Sequence, residues 1–137
     1  LDLSILDIFS GSGALGIEAL SRGAKECEFV DANPECCKVI KENLLHTKLI
    51  DKANINNMDV FKSLTMFTNR EKFDMIFLDP PYKEGKYSEI IEKCNNIISE
   101  NCIIVCEADH KIVFEESKYR KIKEYKYGDT FVTILWK

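Results

Sequence analysis

No apolar stretch in the 137 residues approaches the ~20 that a bilayer span requires. No charged, apolar and small-residue succession opens the chain, so nothing argues for export. There is no C-x-x-C pair and no Cys/His cluster at zinc-ligand spacing, so no metal site is expected. The two histidines, His46 and His110, stand alone in polar segments, which is the pattern of surface residues rather than of ligands or bases. Internal repeats, linkers and low-complexity tracts are absent too, so residues 1–137 are expected to form a single domain. Six cysteines are present, but Cys36 and Cys37 are adjacent and Cys27, Cys94, Cys102 and Cys106 lie within apolar runs. That arrangement predicts reduced thiols acting as small core residues, hence a reducing, cytoplasmic compartment.

A basic excess is also missing. The formal net charge is −4, whereas a nucleic-acid enzyme is normally more basic than this. The balance is uneven along the chain. Residues 1–110 carry 12 basic and 19 acidic side chains, and residues 111–137 carry 7 and 4. The excess of positive charge sits in "KYRKIKEYKY", residues 118–127, which reads either as a solvated strand face or as a phosphate-binding stretch.

What is present is an alternation of strand-like and helix-like segments, the mark of βαβ units and a mostly parallel sheet. "LSILDIF" (3–9) is a near-continuous apolar run, as a strand covered on both faces requires. "ALGIEALSR" predicts a short helix and "CEFVDA" (27–32) a second strand. Asn33 caps the next helix with Pro34 in its first turn, and Cys36, Ile40 and Leu44 repeat at helical spacing. "ANINNMD" (53–59) is a weak third strand, "VFKSLTMF" a short helix, and "FDMIFLD" (73–79) a buried strand ended by Pro80-Pro81. "SEIIEKCNNIIS" fits a helix and "CIIVCEA" (102–108) a fifth strand. The tail, "KIKEYKY", Gly128-Asp129 and "TFVTILW", predicts an antiparallel hairpin.

Gly11, Gly13 and Gly16 spell G-x-G-x-x-G between a strand and a helix, and Asp31 follows 20 residues after Gly11 at the end of the next strand. Such a turn lets the backbone approach a ligand, and such an acid accepts from ribose hydroxyls, so a nucleoside cofactor is expected. Five βα-type strands closed by a hairpin are not the six-parallel-strand dinucleotide arrangement. Asp7 gives D-x-F-x-G-x-G, with Phe9 inside the motif. An acid at the lip of the turn suits the ammonium of S-adenosylmethionine and opposes a diphosphate; equally, it reads as a buried acid bonded to the loop backbone. Asp59, after Met58, is a candidate for the adenine amino group with Met58 against the ring, or else a cap for the helix that follows.

"FLDPPY" (77–82) places Asp79, Pro80, Pro81 and Tyr82 at the carboxyl end of the fourth strand, facing the glycine turn. Consecutive prolines leave main-chain carbonyls fixed in direction with no local amide partner. These carbonyls and the Asp79 carboxylate are acceptors for the protons of an exocyclic amine, and Tyr82 is a ring for base stacking. The set predicts methyl transfer to a nucleobase amino group. The expected catalytic residues are Asp79, Pro80, Pro81 and Tyr82, and the expected cofactor residues are Asp7, Phe9, Gly11, Ser12, Gly13, Asp31, Ala32, Met58 and Asp59.

"LDIFSGSGALGIEALSRGA", "FVDANPE", "FDMIFLDPPY" and "YGDTFVTIL" together resemble the RsmD-type family of bacterial ribosomal-RNA guanine methyltransferases, over essentially the whole chain. The resemblance implies an α/β, Rossmann-like class I methyltransferase: a mostly parallel seven-stranded sheet with a C-terminal antiparallel hairpin. It implies S-adenosylmethionine as cofactor and the 2-amino group of a guanine in small-subunit ribosomal RNA, on a partly assembled subunit, as acceptor. It further implies Gly11, Gly13, Asp31 and Asp59 on the cofactor and Asp79, Pro80 and Tyr82 at the amine. Two departures stand out. Relatives carry a second acid where this chain has Asn33, and they begin with a basic arm and a helix, which are expected to be missing where the first strand starts near residue 3. A DNA adenine-N6 methyltransferase is the alternative, but it needs an inserted target-recognition segment that no stretch here supplies. A scaffold has no use for Asp-Pro-Pro-Tyr, and a dinucleotide oxidoreductase lacks its hydride-transfer histidine or lysine constellation.

Overall fold

The computed structural model describes residues 2–69, 72–79 and 86–137. Among these residues the strands are β1 (Ser4–Ile8), β2 (Glu26–Asp31), β3 (Ala53–Asn57), β4 (Phe73–Leu78), β5 (Ile98–Ala108), β6 (Lys121–Tyr127) and β7 (Thr130–Trp136). The α-helices are α1 (Ala14–Ser21), α2 (Pro34–Thr47), α3 (Val60–Met66) and α4 (Lys86–Lys93). The strands make one sheet in the order β3-β2-β1-β4-β5-β7-β6. Pairings from β3 through β5 are parallel, and β7 runs antiparallel to both β5 and β6. The expected mostly parallel sheet with a closing hairpin is therefore what the chain forms.

Why β1 is central follows from its composition. All five of its residues are buried, as a strand with helices on both faces demands. On one face Ile5, Cys27 and Phe29 pack with Leu20 of α1 and with Ile40 and Leu44 of α2. On the other, Leu6, Ile8, Val30, Ile76, Leu78 and Ile104 pack with Leu64 of α3 and Ile90 and Ile91 of α4. Each such aliphatic side chain contributes about 1.5–3 kcal/mol by leaving water. None of the six cysteines is in a disulfide, and five are buried. Burial pushes the Cys94 and Cys102 thiols up to about 12, so they serve as core residues, as their apolar settings predicted.

Three boundaries differ from the sequence reading. The third strand ends at Asn57, so Met58 and Asp59 lie beyond it. In α2 the buried cysteine is Cys37 and not Cys36, because the helix turns Cys37, Ile40 and Leu44 inward. The helix expected over 88–99 ends at Lys93, followed by one 3₁₀ turn, Cys94–Asn96. Ile98 and Ser99 join β5 because Phe73 of β4 pairs with Ile98 and donates its N–H to the Ile97 carbonyl at 2.8 Å. A non-local ladder overrides the local helical pattern there. In the hairpin, Gly128 sits at φ 58, a left-handed position that a two-residue turn needs and glycine meets without strain.

Strand order reverses between β1 and β4. In open α/β sheets the crevice at that point, beyond the strand carboxyl ends, is where ligands bind.

Candidate active site

β1 leaves the sheet through a strained residue. Phe9 has φ 58, which an L side chain adopts only where its surroundings impose it. Ser10 then ties the turn to β2, with its Oγ donating to the Val30 carbonyl at 3.3 Å and accepting the Val30 N–H at 3.2 Å. Gly11 and Gly13 follow at φ 58 and 77. A Cβ at Gly11 would meet nothing within 4 Å, so its α-carbon faces open space. A Cβ at Gly13 would meet Ile40 Cγ1 at 3.2 Å and Phe29 Cε1 at 3.3 Å; this glycine seats α1 against the fold.

Two acids fix the turn. Asp7 is buried, and its Oδ2 accepts the Gly16 N–H at 3.1 Å. Burial pushes its carboxyl up to about 8, against the lowering effect of the Gly16 bond, and the nearby Asp79 and Asp31 charges add to the rise. Of the two readings of Asp7, the acid bonded to the loop backbone is realised, although Asp7 also lines the cleft described below. Asp31, at the carboxyl end of β2, accepts the Gly11 N–H on Oδ2 at 3.0 Å and the Asn33 N–H on Oδ1 at 2.9 Å. Each of its oxygens keeps a further lone pair for a ligand hydroxyl. Asn33 in turn caps α2 by accepting the Glu35 N–H at 2.9 Å.

The turn forms one wall of a cleft of about 570 Å³, lined by Asp7, Phe9, Ser10, Gly11, Ser12, Ala14, Leu15, Phe77, Asp79 and Glu107. Asp79 stands one residue past the end of β4, on the opposite wall. Partial burial and then the charges of Glu107 and Asp109 hold its carboxyl above the ordinary carboxylate range. Glu107, near the end of β5, is placed from behind. The buried Tyr87 of α4 donates its hydroxyl to the Glu107 carbonyl at 2.9 Å. With the carboxylates of Asp79 and Glu107 on its walls, the cleft favours a cation over a diphosphate.

The structure thus brings Asp7, Phe9, Gly11, Ser12 and Asp79 around one space, with Asp31 joined to it through Gly11. Ala32, Met58 and Asp59 form a neighbouring group at the carboxyl ends of β2 and β3. There the Met58 N–H donates to the Asp31 carbonyl at 3.2 Å, and Asn57 Nδ2 donates to the Asp31 and Ala32 carbonyls. Asp59 caps α3, accepting the Lys62 N–H at 3.1 Å, which is the second of its two readings. Pro80, Pro81 and Tyr82 lie outside the described residues. Sequence reasoning missed Ser10, Glu107 and Asn43, whose Nδ2 donates to the Ser12 carbonyl at 3.0 Å. Only Glu107 left a trace in the sequence, as an acid ending an apolar strand.

A parallel sheet with a closing antiparallel hairpin, and a glycine turn and an acid facing each other at its switch point, define the Rossmann-like methyltransferase fold. The chain belongs to the RsmD-type family. The family model described as conserved hypothetical protein 95 matches residues 2–136. The chain is 38% identical over 137 residues to the "Putative rRNA methyltransferase YlbH" of Bacillus subtilis, covering 96% of this chain and 74% of that protein. It is 35% identical over 127 residues to the ribosomal RNA small subunit methyltransferase D of Haemophilus influenzae, covering 90% of this chain and 66% of that one. A solved Haemophilus influenzae structure, described as a putative methylase, superposes with a TM-score of 0.84 at 29% identity, covering 98% of this chain and 86% of that one. A solved putative methyltransferase of the same fold, 20% identical with a TM-score of 0.80, is described as complexed with SAH, and the cofactor expected from the glycine turn and its acids is S-adenosylmethionine. The residues present fit it: an open cradle at Gly11, acids for its cationic groups and Asp31 for its ribose.

Proposed function

We propose that the protein transfers a methyl group from S-adenosylmethionine to the exocyclic 2-amino group of a guanine in small-subunit ribosomal RNA, presented on an assembling subunit. The observation that carries this reading is that Asp79 and the Asp31-held Gly11 turn line a single cleft. The RNA substrate is supported by the chain's likeness to enzymes named for ribosomal RNA.

When bound, S-adenosylmethionine supplies an electrophilic methyl on a positively charged sulfur. The protein's task is to position a poor nucleophile, since the amine lone pair is delocalised into the base. Asp79 accepts one amine proton as a hydrogen bond, and main-chain carbonyls of the Asp-Pro-Pro-Tyr motif accept the other. Together they favour a pyramidal nitrogen and stabilise the positive charge it gains as the N–C bond forms and the S–C bond breaks. The surplus proton then passes to the Asp79 carboxylate, whose raised proton affinity suits the role. Tyr82 supplies a face for the base.

The test is transfer of labelled methyl groups from S-adenosylmethionine to ribosomal RNA in partly assembled small subunits, run beside duplex DNA containing adenine. Label in the RNA alone is the expected result, whereas label in DNA adenine alone overturns the RNA reading.

A further inference from the structure

The outermost strand of the sheet sorts its side chains by charge. Alternation along β6 puts Ile122, Glu124 and Lys126 on one side and Lys121, Lys123, Tyr125 and Tyr127 on the other. Ile122 packs against the core, and Glu124 is held by Lys111 at 3.8 Å, so the only acid of β6 faces away from the lysine–tyrosine side. On that second side Tyr125 is 38% exposed and Tyr127 66%. Their rings stand nearly parallel, 19° apart, with centroids 6.4 Å apart. Beside them the Lys121 ammonium sits 4.9 Å from the Trp136 ring centre.

This is also the side of the sheet that carries the cleft. Tyr125 pairs with Val132 of β7, and Val132 pairs with Glu107 of β5, which lines the cleft. Leu78 pairs with Cys106, so Asp79 lies beside Glu107 at the next position along. One row therefore runs from Asp79 through Glu107 and Val132 to Tyr125. The distance from Glu107 to Tyr125 is two strand spacings, about 10 Å.

Two exposed parallel aromatic rings with lysines alongside, and no acid on their strand face, match a ligand with flat rings and a phosphate backbone. A second copy adding its own strand to this edge would have to approach Lys121 and Lys123, charges of the kind that keep strand edges apart. We propose that this side of β6 is a stacking platform for single-stranded RNA next to the methyl acceptor, with Tyr125 and Tyr127 under bases and Lys121 and Lys123 on phosphates. The platform rests on the RNA reading given above and extends it to residues outside the cleft.

The test measures binding of a single-stranded small-subunit rRNA fragment across a salt series, together with S-adenosylmethionine affinity, kcat and KM. The paired substitution Tyr125→Ala and Tyr127→Ala weakens RNA binding and raises KM about tenfold or more, while kcat and cofactor affinity hold. Tyr125→Phe with Tyr127→Phe keeps the rings and stays within about threefold of the parent, which separates stacking from misfolding. Lys121→Gln with Lys123→Gln flattens the log–log salt slope by about 1.4, the share of two phosphates on a single strand. Lys126→Gln, on the opposite side, leaves the slope within about half that change.

Unchanged RNA affinity and KM in the alanine pair overturn the platform while leaving the methyl-transfer reading intact. Loss of self-association in that pair, with RNA binding unaltered, assigns the surface to a second copy and likewise overturns it. Platform-dependent RNA binding without methyl transfer by the parent overturns the methyl-transfer reading instead. No binding of the fragment by the parent overturns the platform alone, because the methyl-transfer reading is tested on assembling subunits.

Discussion

Asp31 holds the glycine turn from across the sheet, with one carboxylate oxygen on the Gly11 N–H at 3.0 Å and the other on the Asn33 N–H at 2.9 Å. Asp31→Asn must turn an amide N–H toward one of these two donors, which neither can accept. The substitution should weaken S-adenosylmethionine binding by about 1.5–3 kcal/mol, the cost of lost charged hydrogen bonds. Calorimetric titration checks this, with circular dichroism to verify the fold. An unaltered affinity would remove Asp31 from the cofactor site.

The glycines of the turn should respond differently to alanine. At Gly16 a Cβ would lie 2.4 Å from Phe29 Cε1 and 2.9 Å from Asp7 Oδ2, in the packed interior. Gly16→Ala should cost about 3 kcal/mol in urea unfolding, more than the gain in helix propensity can offset. Gly11 has open space but φ 58, so Gly11→Ala should cost about 1 kcal/mol from backbone strain alone. Its larger effect is expected on cofactor binding, because Gly11 lines the cleft. Equal destabilisation by the two substitutions would contradict the packing described.

Asp7 makes stability depend on pH. Its carboxyl is raised to about 8 in the folded protein, against 3.8 for an unperturbed aspartate. Between those values the folded state binds a proton that the unfolded state has released, so stability falls as pH rises. The contribution is intact below about pH 4 and lost on passing pH 8. Asp7→Asn keeps an acceptor for Gly16 without the ionisation, and it should flatten this part of the profile. Unfolding at pH 5, 6.5 and 8 decides the matter. Parallel profiles for the two proteins would show that Asp7 is not the group responsible.

Asp79 should divide binding from chemistry. Asp79→Ala is expected to leave cofactor affinity within a few fold and to lower methyl transfer by about a hundredfold or more, ~2.7 kcal/mol. Asp79→Asn retains one acceptor and should be milder. Kinetics at saturating RNA and cofactor give the comparison, and native turnover by the alanine variant would exclude Asp79 from the reaction.

The sequence was most informative where function rests on backbone geometry. Gly11 and Asp31 could be paired from their spacing because a glycine turn and an acid one strand away follow from βαβ architecture alone. Asp7 stayed open between two roles, since only tertiary packing decides whether an acid is buried. Asp59 was equally open, and the structure uses it as a helix cap. Glu107 showed only as an acid ending an apolar strand, because it reaches the cleft through the long-range β4–β5 pairing. The border of α4 was misplaced for the same reason, as Ile98 answers to Phe73, 25 residues earlier. The lysines and tyrosines of 118–127 were legible as a charge cluster, but their separation onto two faces appears only once β6 has a register.

The central claim, that this cleft methylates the 2-amino group of a guanine in ribosomal RNA, is tested most directly by the identity of the product. Ribosomal RNA from partly assembled small subunits, incubated with the protein and S-adenosylmethionine, would be digested to nucleosides and separated by liquid chromatography with mass detection. The account predicts N2-methylguanosine formed by the parent protein and not by Asp79→Ala. A methyl group found instead on adenine, on cytosine or on a ribose oxygen would contradict it.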